Sequence, residues 1–576
     1  MNRSAIRLSL LLGLAACILF IPFLGAVHLF DWDEINFAEC AREMISTGNY
    51  TTAQINYFPF WEKPPVFIWM QVLSMKTFGI NEFAARFPNA LCGIVTLIIV
   101  FNLGRKLYGT RFGLLWALAF AGSLLPHFYF KSGIIDPWFN LFIFLGIYRF
   151  ILYTNEPGPG KLMNRNILLS AVFIALATLT KGPVAALVFS LCFLIFRLIK
   201  RKSVISWKHF IIYCITAGGL GSIWFIILFL QHRTEIISDF LAYQVRLFST
   251  GDADHGGPFY YHWVVLLFGC FPASVLAIRA FWKSDSDTPF QKHFKRWMLV
   301  LFWVVLILFS IVKTKIVHYS SLCYFPLTFL GAYTSWKLIC GEIQWKKWMS
   351  IVTLVTGGLI GIALTSIQFI IVFKKQIIAS GMIHDPFAEA NLMADVHWNG
   401  FEFLIGIVFL LGVVASVILM WRQQLIGAIL TLFLLTLLST SLSSLVFAPR
   451  VEGYSQQAAV EFYQGLQNTD CYVNVYGFKS YAQLFYSAKK PEANQSPLFY
   501  AHMERKRPGH GKLDPLTLEM YHTDWLLIGK VDKPVYIVAK TDHKDEFVHD
   551  FPAFKEIGEK NGFVFFRRDA SDKVSN

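Results

Sequence analysis

The chain is expected to be a polytopic α-helical membrane protein, and three observations carry that expectation. Hydrophobic residues make up 55% of the 576 and charged residues only 15%, whereas a soluble protein carries about a quarter charged. Apolar runs of about 18–25 residues recur along most of the chain, each long enough to cross a hydrocarbon core of about 30 Å as a helix. Lysines and arginines gather in alternate loops between these runs, the bias that orients membrane proteins. The net charge of +14 follows from that bias, so it does not indicate a nucleic-acid binder.

The first run, about 7–29, follows the basic residues Arg3 and Arg7. It lacks a small-residue cleavage site before Asp31 and reads as a retained signal anchor. The outer loop 31–85 comes next and predicts two short helices on the membrane surface. The first starts at a capping box, Asp31 to Glu34, and stops at Gly48, with Ile35, Ala38, Ala41, Met44 and Ile45 on its apolar face. The second starts at Pro64-Pro65, where a missing N–H is harmless, and ends at Gly79. Trp61, Phe67 and Trp69 suit an interfacial helix.

Further spans are expected at about 86–104, 112–126, 137–153, 166–181, 183–199, 210–230, 261–280, 297–312, 319–336, 349–373, 402–421 and 424–447, about thirteen in all. With the N-terminus inside, the loops around Arg105, Arg201, Arg279 and Lys346 fall on the inner face and the C-terminal tail outside. This divides the chain into a transmembrane catalytic domain, 1–448, and a small soluble α/β domain, 449–576, on the outer side. In that tail, strands are predicted at 471–476, 524–528, 534–538 and 563–566, and helices at 456–467, 481–488 and 545–558. Two more outer loops lie at about 232–260 and 375–400. The nine cysteines fall mostly inside spans with no zinc or disulfide spacing. Cys40 and Cys471 face the oxidising side and are not expected to pair.

Charged residues at the mouths of spans carry the functional signal, because ionisable groups at that depth are costly. Asp33 and Glu34 sit where the first span ends, and Asp136 at the end of another. Each could be a helix cap; together at one membrane face they also suit acid–base work. Lys63 follows Glu62 before the second surface helix, Lys181 lies between two apolar runs, and Lys315 sits before His318 and Tyr319. Cations gathered on the face that should be poor in them point to a phosphate or pyrophosphate partner. Arg246, beside Tyr243, is a fourth such cation. His255 lies in a glycine-rich turn, solvated or able to hold a metal with Glu62, and Tyr57 and Trp61 could stack on a sugar.

These residues resemble a known family. The blocks Asp33-Glu34, Phe37-Ala38 with Ala41-Arg42-Glu43-Met44, Trp61-Glu62-Lys63-Pro64-Pro65, Ala85-Arg86 with Pro88, Asp136-Pro137, Thr180-Lys181-Gly182, His255 with Pro258, and Lys313, Lys315 and Tyr319 are similar to those of the lipid A aminoarabinose transferases. These belong to the wider GT-C class that includes protein O-mannosyltransferases. Where that family has Arg-Tyr-Ala after Asp-Glu, this chain has Asn36-Phe37-Ala38. The resemblance implies an inverting glycosyltransferase of the bacterial inner membrane. It would move a sugar from a polyprenyl-phosphate (undecaprenyl phosphate) donor to lipid A or a similar lipid on the periplasmic face, with a protein or surface glycan as alternative acceptor. Asp33, Asp136 and Glu34 would be the catalytic acids. Lys63, Lys181, Lys315 and Arg246 would bind the donor phosphate, and Glu62, Tyr57, Tyr319 and His255 the substrate. No cofactor is required; a divalent metal at Glu62 and His255 is compatible.

Two rival classes fit less well. A secondary transporter would place its charges along a midplane path and show internal repeats, whereas here the charges cluster at one interface. A membrane scaffold would not account for the outer lysines.

Overall fold

The computed structural model describes residues 3–156, 163–201, 204–249, 256–282, 286–491, 496–506 and 515–570. The first span, α1 (Arg3–Phe20), is shorter than its apolar run, because the chain turns before Pro22. Seven helices are long and apolar enough to cross a membrane, or up to ten if each of three bent pairs is one span. The pairs break where the sequence allows no straight helix. Thr110–Ala121 and Leu124–Lys131 meet at 82° around Gly122, where a Cβ would lie 2.7 Å from the carbonyl of Phe433. Tyr261–Gly269 and Ala273–Ala280 meet at 109° around Pro272, which cannot continue a helix. Three other expected spans fall on Arg165–Lys181, Val184–Lys200 and Tyr324–Ile339, of 17, 17 and 16 residues. Thirteen spans are reached only by counting these, which length and composition do not.

The helices pack as small residues permit. α4 (Glu82–Tyr108) crosses Thr110–Ala121 where a Cβ on Gly104 would sit 2.8 Å from the Cα of Gly113. Behind that crossing lies an aromatic core in which Phe144 and Phe325 stack with centroids 4.2 Å apart.

The loop after α1 folds into α2 (Asp33–Thr47) and α3 (Val66–Phe78). Gly48, at φ 70°, ends α2, its N–H bonded to the carbonyl of Met44. The expected capping box is absent. Trp32 precedes the helix without a side-chain cap, because Asp31 and Glu34 are engaged by distant partners. Nor does α2 lie on a surface: every residue from Glu34 to Met44 is buried, since the tail covers the face that sequence left open.

The tail carries a four-stranded sheet in the order Tyr472–Tyr476, Val535–Lys540, Phe563–Arg568, Lys555–Lys560. The first pair is parallel and the others antiparallel. The predicted strand at 524–528 is the end of the helix Pro515–Ile528; a five-residue apolar run does not distinguish the two. The helix predicted at 545–558 stops at Asp550, before Pro552, and the edge strand Lys555–Lys560 follows. Apolar residues of α2, of Gln457–Gly465 and of Ala482–Tyr486 share one core, so the tail is packed onto the loop that holds Asp33.

Candidate active site

Asp33 begins α2 and Asp136 begins the helix Asp136–Thr154. His318 stands between them, its Nε2 3.3 Å from Asp33 Oδ2 and 3.8 Å from Asp136 Oδ2. Burial holds the His318 imidazole below its usual value, the Asp136 charge working against it. Lys181, ending Arg165–Lys181, donates to Asp136 Oδ1 at 2.6 Å, and its ammonium lies 5.2 Å from the centroid of the Tyr319 ring. Among the described residues Asp136 Oδ2 has no hydrogen-bond partner, while the Asp33 side chain is 38% exposed. One acid is thus locked by a cation and the other is open to a substrate.

Glu34 and Arg86 hold this arrangement. The Arg86 guanidinium donates through Nε and Nη2 to Glu34, at 3.0 and 2.8 Å. Its remaining N–H groups reach the carbonyls of Leu24, Val27 and His28 at 2.8, 2.6 and 2.9 Å. All five donors are spent, which only a planar fork does. Glu34 also accepts from the N–H of Phe30 at 3.0 Å and of Gly133 at 2.5 Å. Asn89 Nδ2 donates to the carbonyls of Ser132 and Ile134. The segments leading to Asp33 and to Asp136 are therefore tied to one ion pair. Glu34, grouped above with the catalytic acids, has its oxygens occupied by Arg86 and by the N–H groups of Phe30 and Gly133.

A cavity of about 970 Å³ opens over these acids. Of the expected phosphate ligands, Lys63, Lys181 and Arg246 line it, as do Glu62 and Tyr319. Lys63 and Arg246 share the Tyr243 ring, at 4.9 and 5.3 Å from its centroid, and Lys63 is 3.7 Å from Glu62. Lys315 does not line it. Its ammonium donates to the carbonyls of Phe309, Ser310 and Val312 at 2.9, 2.7 and 2.5 Å, closing the C-terminus of the helix Pro289–Ile311, as cations at helix ends do. Tyr57 is also elsewhere. Its hydroxyl donates to the carbonyl of Lys489 in the tail and accepts from Arg42 at 3.3 Å, and burial raises it to about 12. His255 lies outside the described residues. Among the described residues no group of three or more His, Cys, Asp or Glu could hold a metal ion.

Sequence reasoning did not select four residues of this cavity: His318, Asp31, Lys131 and Lys479. His318 had a signal, an imidazole three residues from Lys315 at a span mouth. Asp31 had one too, its place at the mouth of the first span, but was read as a helix cap; Lys131 and Lys479 had none, because their surroundings are remote in sequence. Asp31 accepts from Ser480 Oγ and from the N–H of Tyr481 at 3.2 Å. The same segment is held by Tyr486, whose hydroxyl accepts from the N–H of Leu29 at 2.7 Å, and by Gln456, whose amide donates to Leu29. Burial raises Asp31 to about 6, although the two hydrogen bonds lower it. A carboxyl raised in the folded state gives stability that is full below its unfolded value of about 3.9 and lost as pH rises through about 6. Asp31→Asn is therefore expected to flatten the fall in melting temperature between pH 4.5 and 6.5 by roughly a few degrees. Parallel melting curves of the two proteins in detergent check it; identical slopes would refute it.

Residues 62–230 match the profile of the dolichyl-phosphate-mannose-protein mannosyltransferases. The undecaprenyl phosphate-α-4-amino-4-deoxy-L-arabinose arabinosyl transferase of Shewanella sediminis is 26% identical over 336 residues, covering 58% of this chain and 60% of that protein. Its counterpart in Photorhabdus laumondii is 25% identical over 399 residues, covering 67% and 68%. The chain thus matches only 60% of the length of the first of these relatives. Crystal structures of ArnT from Cupriavidus metallidurans, in the apo state and bound to undecaprenyl phosphate, both superpose with a TM-score of 0.72, covering 98% of each chain at 16% identity. The fold is that of these ArnT structures.

Proposed function

We propose that this protein transfers a sugar from a polyprenyl-phosphate donor to lipid A or a similar lipid, by one inverting displacement at the outer face of the bacterial inner membrane. The N-terminus is then cytoplasmic and the tail periplasmic. The observation that carries the reading is an open carboxylate, Asp33, within one cavity that also holds Lys63, Lys181 and Arg246. The acceptor oxygen attacks the anomeric carbon, and the bond from that carbon to the phosphate oxygen breaks with its electron pair on the phosphate. Lysine and arginine donors offset the charge as it develops. A hydroxyl acceptor needs Asp33 as its base; an ionised phosphate acceptor needs it only to orient and stabilise the sugar cation. Asp136, held by Lys181, keeps that lysine oriented beside the developing phosphate charge.

The relatives' names support an undecaprenyl carrier and an aminopentose, and the mannosyltransferase profile supports a polyprenyl-phosphate donor more broadly. Asn36 lines the cavity where those relatives' pattern has arginine, so a sugar other than aminoarabinose is part of the test. The step needs no cofactor; a divalent ion at Glu62 and His255 would add to the positive charge already there. Mass spectrometry of lipid A from cells with and without the protein tests the reading. A gain of one sugar, with its mass naming the class, is expected. Unchanged lipid A would exclude it as acceptor.

A further inference from the structure

The cations of the cavity fall into two groups. Arg86, Lys63 and Lys181 each face a carboxylate, and Arg246 lies against Tyr243. Lys131 and Lys479 have no carboxylate within ion-pair distance among the described residues. Lys131 donates to the carbonyls of Pro22 at 3.0 Å and Leu19 at 3.4 Å, which leaves one of three N–H donors unspent. Lys479 makes no hydrogen bond among the described residues. It is held over rings, 5.2 Å from the centroid of Trp32 and 5.5 Å from that of Tyr481. Glu519 senses its charge without pairing with it.

The two flank one strip of chain. Lys131 grips the end of α1 at residues 19 and 22, and Lys479 covers residue 32. Between them Phe23, Leu24 and Val27 line the cavity. Lys63, Lys181 and Arg246 gather instead around Tyr243 and Tyr319, and Arg86, though on this strip, spends all its donors on Glu34 and on the carbonyls of Leu24, Val27 and His28. Uncompensated positive charge beside an apolar wall, on a membrane face where cations are disfavoured, suits an anionic amphiphile.

We infer that Lys131 and Lys479 bind a phosphate of the acceptor lipid while its chains lie along Phe23, Leu24 and Val27, apart from the donor phosphate at Lys63 and Lys181. This rests on the reaction proposed above. Acceptor recognition is then shared between a membrane-embedded turn and the C-terminal tail.

The test compares the purified full-length protein with its Lys131→Gln/Lys479→Gln double variant. The probes are lipid A, phosphatase-treated lipid A and undecaprenyl phosphate. The wild type should bind phosphorylated lipid A at least tenfold more tightly than the treated form. The double variant should lose that preference and hold undecaprenyl phosphate within twofold of the wild type. A preference that is absent in the wild type, or that survives in the variant, overturns the assignment. So does an equal loss of undecaprenyl phosphate binding, which would give the lysines to the donor carrier. If the double variant unfolds, the exposed Lys479→Gln change alone carries the test, with partial loss of the preference expected and none refuting it. A wild type that transfers no sugar yet shows the preference, lost in the variant, would sink the reaction and uphold this subsite.

Discussion

Asp33→Asn is expected to lower sugar transfer by about 10²–10⁴-fold while leaving expression and undecaprenyl phosphate binding intact. The amide keeps the volume and one acceptor of the carboxylate but not its charge. Asp33 is the exposed member of the Asp33–His318–Asp136 row, so the change touches the 3.3 Å contact with His318 and none of the pairs to Lys181 or Arg86. Asp136→Asn differs, because it removes the counter-charge of Lys181, bonded at 2.6 Å, and should weaken donor binding as well as the rate. Single-turnover rates at saturating donor separate the two. Transfer by Asp33→Asn within tenfold of the wild type would remove Asp33 from the chemistry.

Breaking the Glu34–Arg86 pair should have the largest effect on folding. Removing one partner of a buried pair leaves a charge with no counter-ion, at about 3–5 kcal/mol. Here it also frees three carbonyls, of Leu24, Val27 and His28, that Arg86 holds. Arg86→Ala is expected to yield little folded protein in detergent, and Arg86→Lys to recover only part, because an ammonium cannot serve five acceptors at once. The Glu34→Ala/Arg86→Ala double variant should lose less than the sum of the two single losses. Size-exclusion profiles and melting temperatures read the series, and an Arg86→Ala protein as stable as the wild type would refute it.

Most of the helical framework was legible in the sequence, because a span announces itself by length and apolar content alone. Asp33, Asp136, Lys63 and Lys181 were legible for a related reason: charge at a span mouth is expensive and so informative. Lys315 carried the same signal but a local answer, since its stem reaches the open carbonyls of the helix just before it. Tyr57 looked like a sugar platform and proved to be a clasp on the tail. Asp31 looked like a cap and proved to accept from Ser480 and Tyr481. Both misreadings have one cause. Periodicity and spacing describe neighbours along the chain, and the tail returns to α2 from more than 400 positions away, as with Arg42 and Lys489.

That return has a consequence in time. Translation at about 5–20 residues per second separates Asp31 from Ser480 by roughly 20 to 90 seconds. Throughout that interval the loop before Asp33 lacks the tail partners that fix it. Ribosomes that stop short of the tail leave behind an inserted bundle whose acid is unaligned.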